Sequence, residues 1–83
     1  MLKVLYFASL RERLGMANES VSLPAVATVA GLVDLLRARG GVWTDVLAGN
    51  KPWRVAINQE MAGFDTPLKS GDEVAIFPPV TGG

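Results

Sequence analysis

The chain has 83 residues, 49% of them hydrophobic, and its eight basic and eight acidic side chains give a formal net charge of zero. This length fits one small domain, and the balanced charge argues against a nucleic-acid partner. The sequence contains neither cysteine nor histidine. Disulfides, zinc sites and Ser-His or Cys-His catalysis are therefore excluded, and we expect the chain itself to bind no metal or cofactor.

Targeting and membrane signals are weak in this sequence. The apolar N-terminus contains Lys3, basic residues follow it at 11 and 13, and no cleavage site for a signal peptide is apparent. The longest uncharged stretch, residues 20–33, contains Pro24 and Gly31 and is shorter than the ~18 residues that a membrane span needs. We expect a cytoplasmic protein with no membrane partner.

The first third of the chain predicts two strands separated by a helical turn. Residues 2–8 alternate with a period of two, which is typical of a strand. Residues 10–14 form a helical turn with Ser9 as its cap and Gly15 at its end. Residues 19–23 predict a second, short strand, which Pro24 prevents from continuing regularly.

The main helix is predicted after Thr28, which is a suitable N-cap. Its apolar positions follow the i, i+3, i+4, i+7 spacing of a helix with one buried face, and Gly40 and Gly41 end it. Residues 43–47 can add one turn, and residues 49–52 predict a loop. The apolar positions of the main helix are Val29, Leu32, Val33 and Leu36.

The last third predicts strands and turns. Alternation over residues 53–58 predicts a strand, residues 59–64 a short edge strand, residues 69–72 a turn and residues 73–77 the last strand. The two prolines that follow have no amide hydrogen for a ladder, so the sheet ends there.

The order of these elements predicts an α+β fold. A mixed sheet packed on one main helix, the β-grasp or ubiquitin-like arrangement, fits this order, whereas a ferredoxin-like domain would need a second full helix after residue 57. We expect a β-grasp domain over residues 1–77 and an extended Gly-Gly tail over residues 78–83.

One face of the predicted sheet is both charged and apolar. Lys3, Arg54 and Glu73 mark it as the face that is turned away from the helix. Several apolar residues on neighbouring strands share this face, and such a patch is typical of a partner surface, although a loop could also cover it. These residues are Leu5, Phe7, Ala56, Ala75 and Phe77.

The sequence ends in Gly82 and Gly83, directly after an extended stretch. Glycine lets other atoms approach the backbone from all sides, which suits a narrow channel in a partner protein. The terminal carboxylate becomes a reactive acyl group once it is adenylated. The chain has no glycine-rich nucleotide loop, so we expect a partner enzyme to use the ATP.

Three segments of the sequence resemble the family of molybdopterin synthase small subunits, the MoaD family. The resemblance covers both ends and the middle of the chain, and the closing segment is the most specific. The segments are residues 4–8 with Arg11, Glu12 and Gly15; residues 55–58; and Pro67, Leu68 and residues 71–83.

This resemblance implies a β-grasp sulfur carrier in molybdenum cofactor biosynthesis. An E1-like enzyme would adenylate Gly83, and a sulfur donor system would convert it to a thiocarboxylate. The sulfur would then pass to cyclic pyranopterin monophosphate on the large subunit, which holds the catalytic groups, within a heterotetramer. The resemblance also implies a docking surface of Phe7, Met61 and Phe77. The tail inserted in the partner would comprise Pro78, Pro79, Val80, Thr81 and Gly82.

Three alternatives remain at this point. A ubiquitin-like modifier would use the same activated glycine to form isopeptides with lysines. A sulfur carrier of thiamine synthesis would usually be shorter and lack the Phe-Pro-Pro approach to the glycines. A binding module would use the apolar patch alone, so that removal of Gly83 would change nothing.

Overall fold

The computed structural model describes residues 1–49 and 53–78, and the account of the fold concerns these residues. These residues form five strands and three helices. The main helix has a short helix before it and another after it in the sequence, where helical turns were predicted. The elements are β1 (Leu2–Tyr6), α1 (Ala8–Leu14), β2 (Asn18–Val21), α2 (Val29–Arg37), α3 (Val42–Val46), β3 (Arg54–Ile57), β4 (Glu60–Ala62) and β5 (Glu73–Phe77).

The five strands form one mixed sheet in the order β2-β1-β5-β3-β4. The first and last strands, β1 and β5, lie side by side and run parallel, while every other neighbouring pair is antiparallel. The first and last strands are therefore neighbours near the middle of the sheet. This topology, with α2 packed on one face, is the predicted β-grasp arrangement.

The core lies between α2 and one face of the sheet. The alternating residues of the central strands and the apolar stripe of α2 are buried in a single cluster, as their spacing predicts. The short helices α1 and α3 add further apolar side chains at its edge. The most deeply buried members are Leu2, Val4, Tyr6, Val29, Leu32, Val33, Leu36, Leu47, Val74 and Ile76.

The start of α2 is held by hydrogen bonds that satisfy its first amides. The Thr28 hydroxyl accepts from the Gly31 N–H at 3.1 Å, which confirms the predicted cap. The next two helical amides donate to a neighbouring loop, Val29 to the Thr66 carbonyl at 3.1 Å and Ala30 to the Phe64 carbonyl at 2.8 Å. Because unpaired amides at a helix start are costly to bury, these bonds also fix the loop against α2.

Two details near the first strand differ from the sequence prediction. Strand β1 ends at Tyr6, and the N-cap of α1 is Phe7, which makes no side-chain capping bond; the predicted cap, Ser9, lies inside the helix. The chain turns early because Ala8 adopts a left-handed φ of 51°. The predicted end at Gly15 is confirmed, since this residue has φ 74° and its N–H donates to the Arg11 carbonyl at 3.0 Å.

The other boundaries shift by a few residues. Strand β2 covers Asn18–Val21 instead of 19–23, because the Ala17 carbonyl already accepts from the Tyr6 N–H at 2.9 Å and starts the pairing earlier. The predicted extra turn is α3, which an ion pair of 2.6 Å between Arg13 and Asp45 joins to α1. Most of the predicted loop at 49–52 lies outside the described residues. None of the described helices is long and apolar enough to cross a membrane.

We predict that Gly31→Ala destabilises the fold, although alanine normally stabilises a helix relative to glycine. An added Cβ would overlap the Val26 carbonyl oxygen and lie 2.9 Å from the carbonyl carbon, so the loop at 26 would have to move. We expect a loss of about 1–3 kcal/mol in the free energy of unfolding, measured with urea. The neighbouring change Ala30→Gly should cost only about 0.5–1 kcal/mol. A Gly31→Ala chain as stable as the parent would contradict this packing.

Candidate docking surface and its supports

Strand register aligns the residues of the open sheet face, which is the face opposite α2, in rows. One row runs across four strands, from Leu5 on β1 through Ala75 and Ala56 to Met61 on β4. Two residues further along β5, in the direction of its C-terminal end, Phe77 pairs with Arg54 of β3. On the other side of the row, Lys3 pairs with Glu73 and with Ser20. We call this row, together with Phe7 and Phe77, the apolar band. Polar residues border it on both sides.

The members of the band differ in exposure. Met61 is 63% exposed and Phe7 is 44% exposed, whereas Leu5, Ala75 and Phe77 are partly buried. Ala56 is only 8% exposed, so the expectation that it contributes to an exposed patch was wrong. Ala56 has a single-carbon side chain and lies on the inner strand β3. Its pairing partners, Ala75 on β5 and Met61 on β4, flank it and shield it from solvent.

Phe7 lies where β1 passes into α1, and its backbone is fixed on both sides. Its N–H donates to the Ile76 carbonyl at 3.2 Å, and its carbonyl accepts from the Leu10 N–H at 3.1 Å. The next residue, Ala8, has φ 51°. A left-handed conformation costs a non-glycine residue about 1–2 kcal/mol, so the surrounding bonds hold a strained turn beside this exposed ring.

A polar cluster that the sequence analysis missed supports the end of β1 from the other face. The Tyr6 hydroxyl donates to Glu19 Oε2 at 2.7 Å, and the Arg39 guanidinium donates to both Glu19 oxygens at 2.8 and 2.9 Å. Arg39 also lies 4.4 Å from the ring centre of Trp43, which makes an edge contact of 5.5 Å with Tyr6. The members come from four separate segments, so no local pattern could have indicated the cluster.

This cluster shifts the protonation equilibria of its members. Hydrogen bonds from Arg39 hold the pKa of Glu19 below its ordinary value, even though partial burial acts in the opposite direction. Burial, followed by the hydrogen bond to Glu19, raises the pKa of Tyr6 far above its ordinary value. At neutral pH, Tyr6 is therefore a neutral donor to an ionised carboxylate, the charge-assisted arrangement that gives strong hydrogen bonds.

A second cluster fixes the hairpin that carries Met61. Asn58 and Gln59 form the two-residue turn between β3 and β4, with φ values of 50° and 72°. The Asn58 amide donates to Asp72 Oδ1 at 3.0 Å, and its oxygen accepts from the Glu73 N–H at 3.0 Å. Asp72 Oδ2 accepts from the Lys69 N–H at 2.9 Å. The turn is therefore anchored to the start of β5.

An aromatic pair lies at the end of the β3–β4 hairpin where β3 begins and β4 ends. Phe64 is exposed and contacts the buried Trp53 edge to face, with ring centres 5.3 Å apart. The Trp53 indole N–H donates to the Ala48 carbonyl at 3.0 Å. Sequence alternation predicted the inward position of Trp53, whereas the contact with Phe64 depends on the loop that is bound to the start of α2.

The tail predicted to enter a partner begins directly after β5. Pro78 is described and partly buried, whereas Pro79, Val80, Thr81, Gly82 and Gly83 lie outside the described residues. Within residues 1–49 and 53–78, no group of three or more acidic side chains is placed to hold a metal ion. The features that the described part offers are an apolar sheet face, which is the candidate docking surface, and two polar clusters that support it.

Comparison with known proteins identifies the family. The sequence profile of the ThiS family matches residues 4–83. The chain belongs to the ThiS family. The molybdopterin synthase sulfur carrier subunit of Escherichia coli is 43% identical over 83 residues, with complete coverage of both chains. The resemblance to the molybdopterin synthase small-subunit family is therefore confirmed.

Solved structures of similar proteins confirm the fold. A putative molybdopterin converting factor, subunit 1, from Pyrococcus furiosus is 31% identical, with a TM-score of 0.78 and coverage of 95% of this chain and 97% of that one. SAMP1 of Haloferax volcanii, a small archaeal modifier protein, is 29% identical, with a TM-score of 0.77 and coverage of 99% and 98%. This ThiS family member thus has the ubiquitin-like β-grasp fold that the sequence predicted.

We predict that Asp72 makes the stability of this ThiS family member sensitive to acid. Hydrogen bonds from the Lys69 amide and from Asn58 lower the pKa of Asp72 in the folded state. The resulting stabilisation is present above the ordinary carboxyl pKa of about 3.9 and is lost as the pH falls through the lower, folded-state pKa. Asp72→Asn should therefore reduce the decrease in Tm between about pH 6 and pH 2.5, measured by circular dichroism.

The same measurement on Glu19→Gln provides a comparison, because the pKa of Glu19 is also lowered in the folded state. The described hydrogen bonds give the two carboxylates no common partner. We expect their effects on the acid sensitivity to add in the double variant. An unchanged decrease in Tm for Asp72→Asn would show that its hydrogen bonds do not favour the carboxylate.

Proposed function

We propose that this chain is the sulfur carrier subunit of a molybdopterin synthase and that Gly83 carries the sulfur as a thiocarboxylate. The observation that carries the proposal is the 43% identity to a molybdopterin synthase sulfur carrier subunit over the full length of both chains. The sequence itself supports the proposal, because the chain lacks cysteine and ends in two glycines. A chain of this composition carries sulfur most simply on its terminal carboxylate.

The chemistry requires two steps on Gly83. An E1-like enzyme first uses ATP to form an acyl-adenylate, with release of pyrophosphate. A sulfur donor system then supplies a sulfur nucleophile, which forms the C–S bond while AMP leaves. The product thiocarboxylate is ionised at neutral pH, and its sulfur is a softer nucleophile than a carboxylate oxygen, which suits transfer to cyclic pyranopterin monophosphate.

Docking on the large subunit would use the apolar band of the open face. Phe7 and Met61 present large exposed side chains, and Phe77 lies at the end of β5, the strand next to β1. Burying one such side chain at an interface contributes about 1.5–3 kcal/mol. The same strand end leads into Pro78 and the tail, so docking of the band would place the tail at one site on the partner.

The activating enzyme and the large subunit both need access to Gly83. We infer that they bind in turn, because one tail cannot occupy two active sites at once. The assembly with the large subunit would be the family's heterotetramer, and catalytic acids and bases would belong to that subunit. The carrier then brings a rigid docking face and the sulfur.

A ubiquitin-like protein modifier is the second candidate function. The observation that favours it is the similarity to the small archaeal modifier protein of Haloferax volcanii. The activation step is the same for both functions, and they differ in the nucleophile that attacks Gly83. Lysine-linked conjugates of this chain in cells would support the modifier function.

We predict that the chain gains sulfur during activation. After incubation of the purified chain with its activating enzyme, ATP and a sulfur source, the intact mass should rise by the difference between one sulfur and one oxygen atom. The Gly83-deleted chain is the control. It should keep the free energy of unfolding within about 0.5 kcal/mol of the parent, yet deliver no sulfur, because its terminus is about 3.5 Å too short. A full chain that gains no sulfur beside a competent enzyme would overturn the sulfur-carrier proposal.

We predict that Phe7→Asp and Met61→Asp each weaken binding to the large subunit by about tenfold or more, since each would bury a charge without a partner. Both side chains are exposed, so the Tm should change by only a few degrees. Val26→Asp is a matched control, because Val26 is 64% exposed, like Met61, but lies beside α2. It should bind as the parent does. Equal affinities for all three variants, measured by calorimetry, would place the interface elsewhere.

A further inference from the structure

The three methionines of this cysteine-free chain have different environments. Met61 on β4 is 63% exposed and Met1 is 60% exposed, whereas Met16 is partly buried against the core. Thioethers are oxidised in proteins according to their access to the oxidant. Met61 and Met1 are therefore the accessible sites. Met61 lies in the apolar band, whereas Met1 lies outside it, where its sulfur accepts a hydrogen bond from the Ser22 hydroxyl at 3.5 Å.

The surroundings of Met61 leave room for a small oxidant. The residue lies on an edge strand, so one side has no neighbouring strand. The Met61 side chain is 63% exposed, so water and small polar molecules can reach its sulfur.

We propose that Met61 is an oxidation site at which a peroxide weakens docking of this carrier on its large subunit. This inference rests on the proposed function. Hydrogen peroxide transfers one oxygen atom to Met61 Sδ: the O–O bond breaks, an S–O bond forms and water leaves. The sulfur loses two electrons and the peroxide gains them, so the step needs no further reactant.

Oxidation changes the docking face where it is most exposed. A sulfoxide is polar and accepts hydrogen bonds strongly, whereas the neighbouring band residues, Ala56 and Ala75, are apolar. In the free chain, water can solvate the new oxygen, because the side chain is largely exposed. Docking would remove that solvation without a replacement, which corresponds to an affinity loss of about 10- to 100-fold.

The fold itself should tolerate this change. The Met61 side chain is largely in solvent, and Met61 contributes to β4 through its backbone. Methionine sulfoxide reductases return the sulfoxide to the thioether. Oxidation of Met61 would therefore be a reversible modification of docking.

The test uses the full chain in its carboxylate form, so that oxidation of a thiocarboxylate does not interfere. The chain is treated with hydrogen peroxide, oxidation is assigned by peptide mapping, and the Kd for the large synthase subunit is measured by calorimetry before and after treatment. For the parent, we expect the Kd to rise about tenfold or more and to recover after treatment with the reductases, while the Tm stays within a few degrees.

The control is Met61→Leu, compared with itself before and after treatment. This variant keeps Met1, whose exposure of 60% matches that of Met61, so it still gains oxygen. Whatever its starting affinity, we expect its Kd to stay constant within a factor of two. An equal loss of affinity in this variant would overturn the assignment to Met61.

Two further results separate this inference from the proposed function. If the untreated parent binds and the chain with a mapped sulfoxide at Met61 binds equally well, the oxidation proposal is wrong and the docking proposal stands. If the untreated parent does not bind the large subunit, both proposals fail. A parent chain that unfolds on oxidation would also overturn the inference, because the loss would then be global.

Discussion

The parallel pairing of β1 with β5 is the constraint on which the candidate docking surface depends. It aligns Leu5 with Ala75 and places the first and last strands side by side near the middle of the sheet. A parallel pair cannot be joined by a tight turn, so the segment between the two strands must cross over, and α2 covers one sheet face in doing so. The opposite face is left open. Phe7 and Phe77 lie together at one end of this face because each continues one of the two paired strands.

The two polar clusters stabilise the strands that carry that surface. Tyr6, bonded to Glu19, fixes the end of β1 directly before Phe7. Asn58, bonded to Asp72 and Glu73, fixes the hairpin that carries Met61. The first cluster holds the residue directly before Phe7, and the second holds the turn three residues before Met61. For the proposed docking, less backbone freedom would then be lost on binding, and such preorganisation raises affinity without adding contacts.

Local periodicity was sufficient to predict the strands, the main helix, the Thr28 cap and the sheet face that carries Phe7. It failed where a distant segment decides the outcome. The burial of Ala56 depends on its neighbours on other strands. Periodicity also missed one local feature, the strained turn at Ala8 that ends β1 early. The clusters around Glu19 and Asp72 join residues that are far apart in sequence, and each contact exists only once the strand order is known. The predicted role of Met61 came from family resemblance, whereas the chemistry of the two glycines and the terminal carboxylate already indicated a role for the tail.

An apolar band on an open sheet face also exposes the chain to unwanted association, and the charges around the band limit this risk. Lys3 and Glu73 lie on one side of the band and Arg54 on the other, so a second copy that approaches face to face must desolvate these groups. Desolvating a charge without a matching partner is costly, whereas a partner with complementary charges avoids that cost. The net charge of zero gives no long-range repulsion between copies. For the proposed docking, selectivity for the correct partner would therefore depend on the local arrangement of charges around the band.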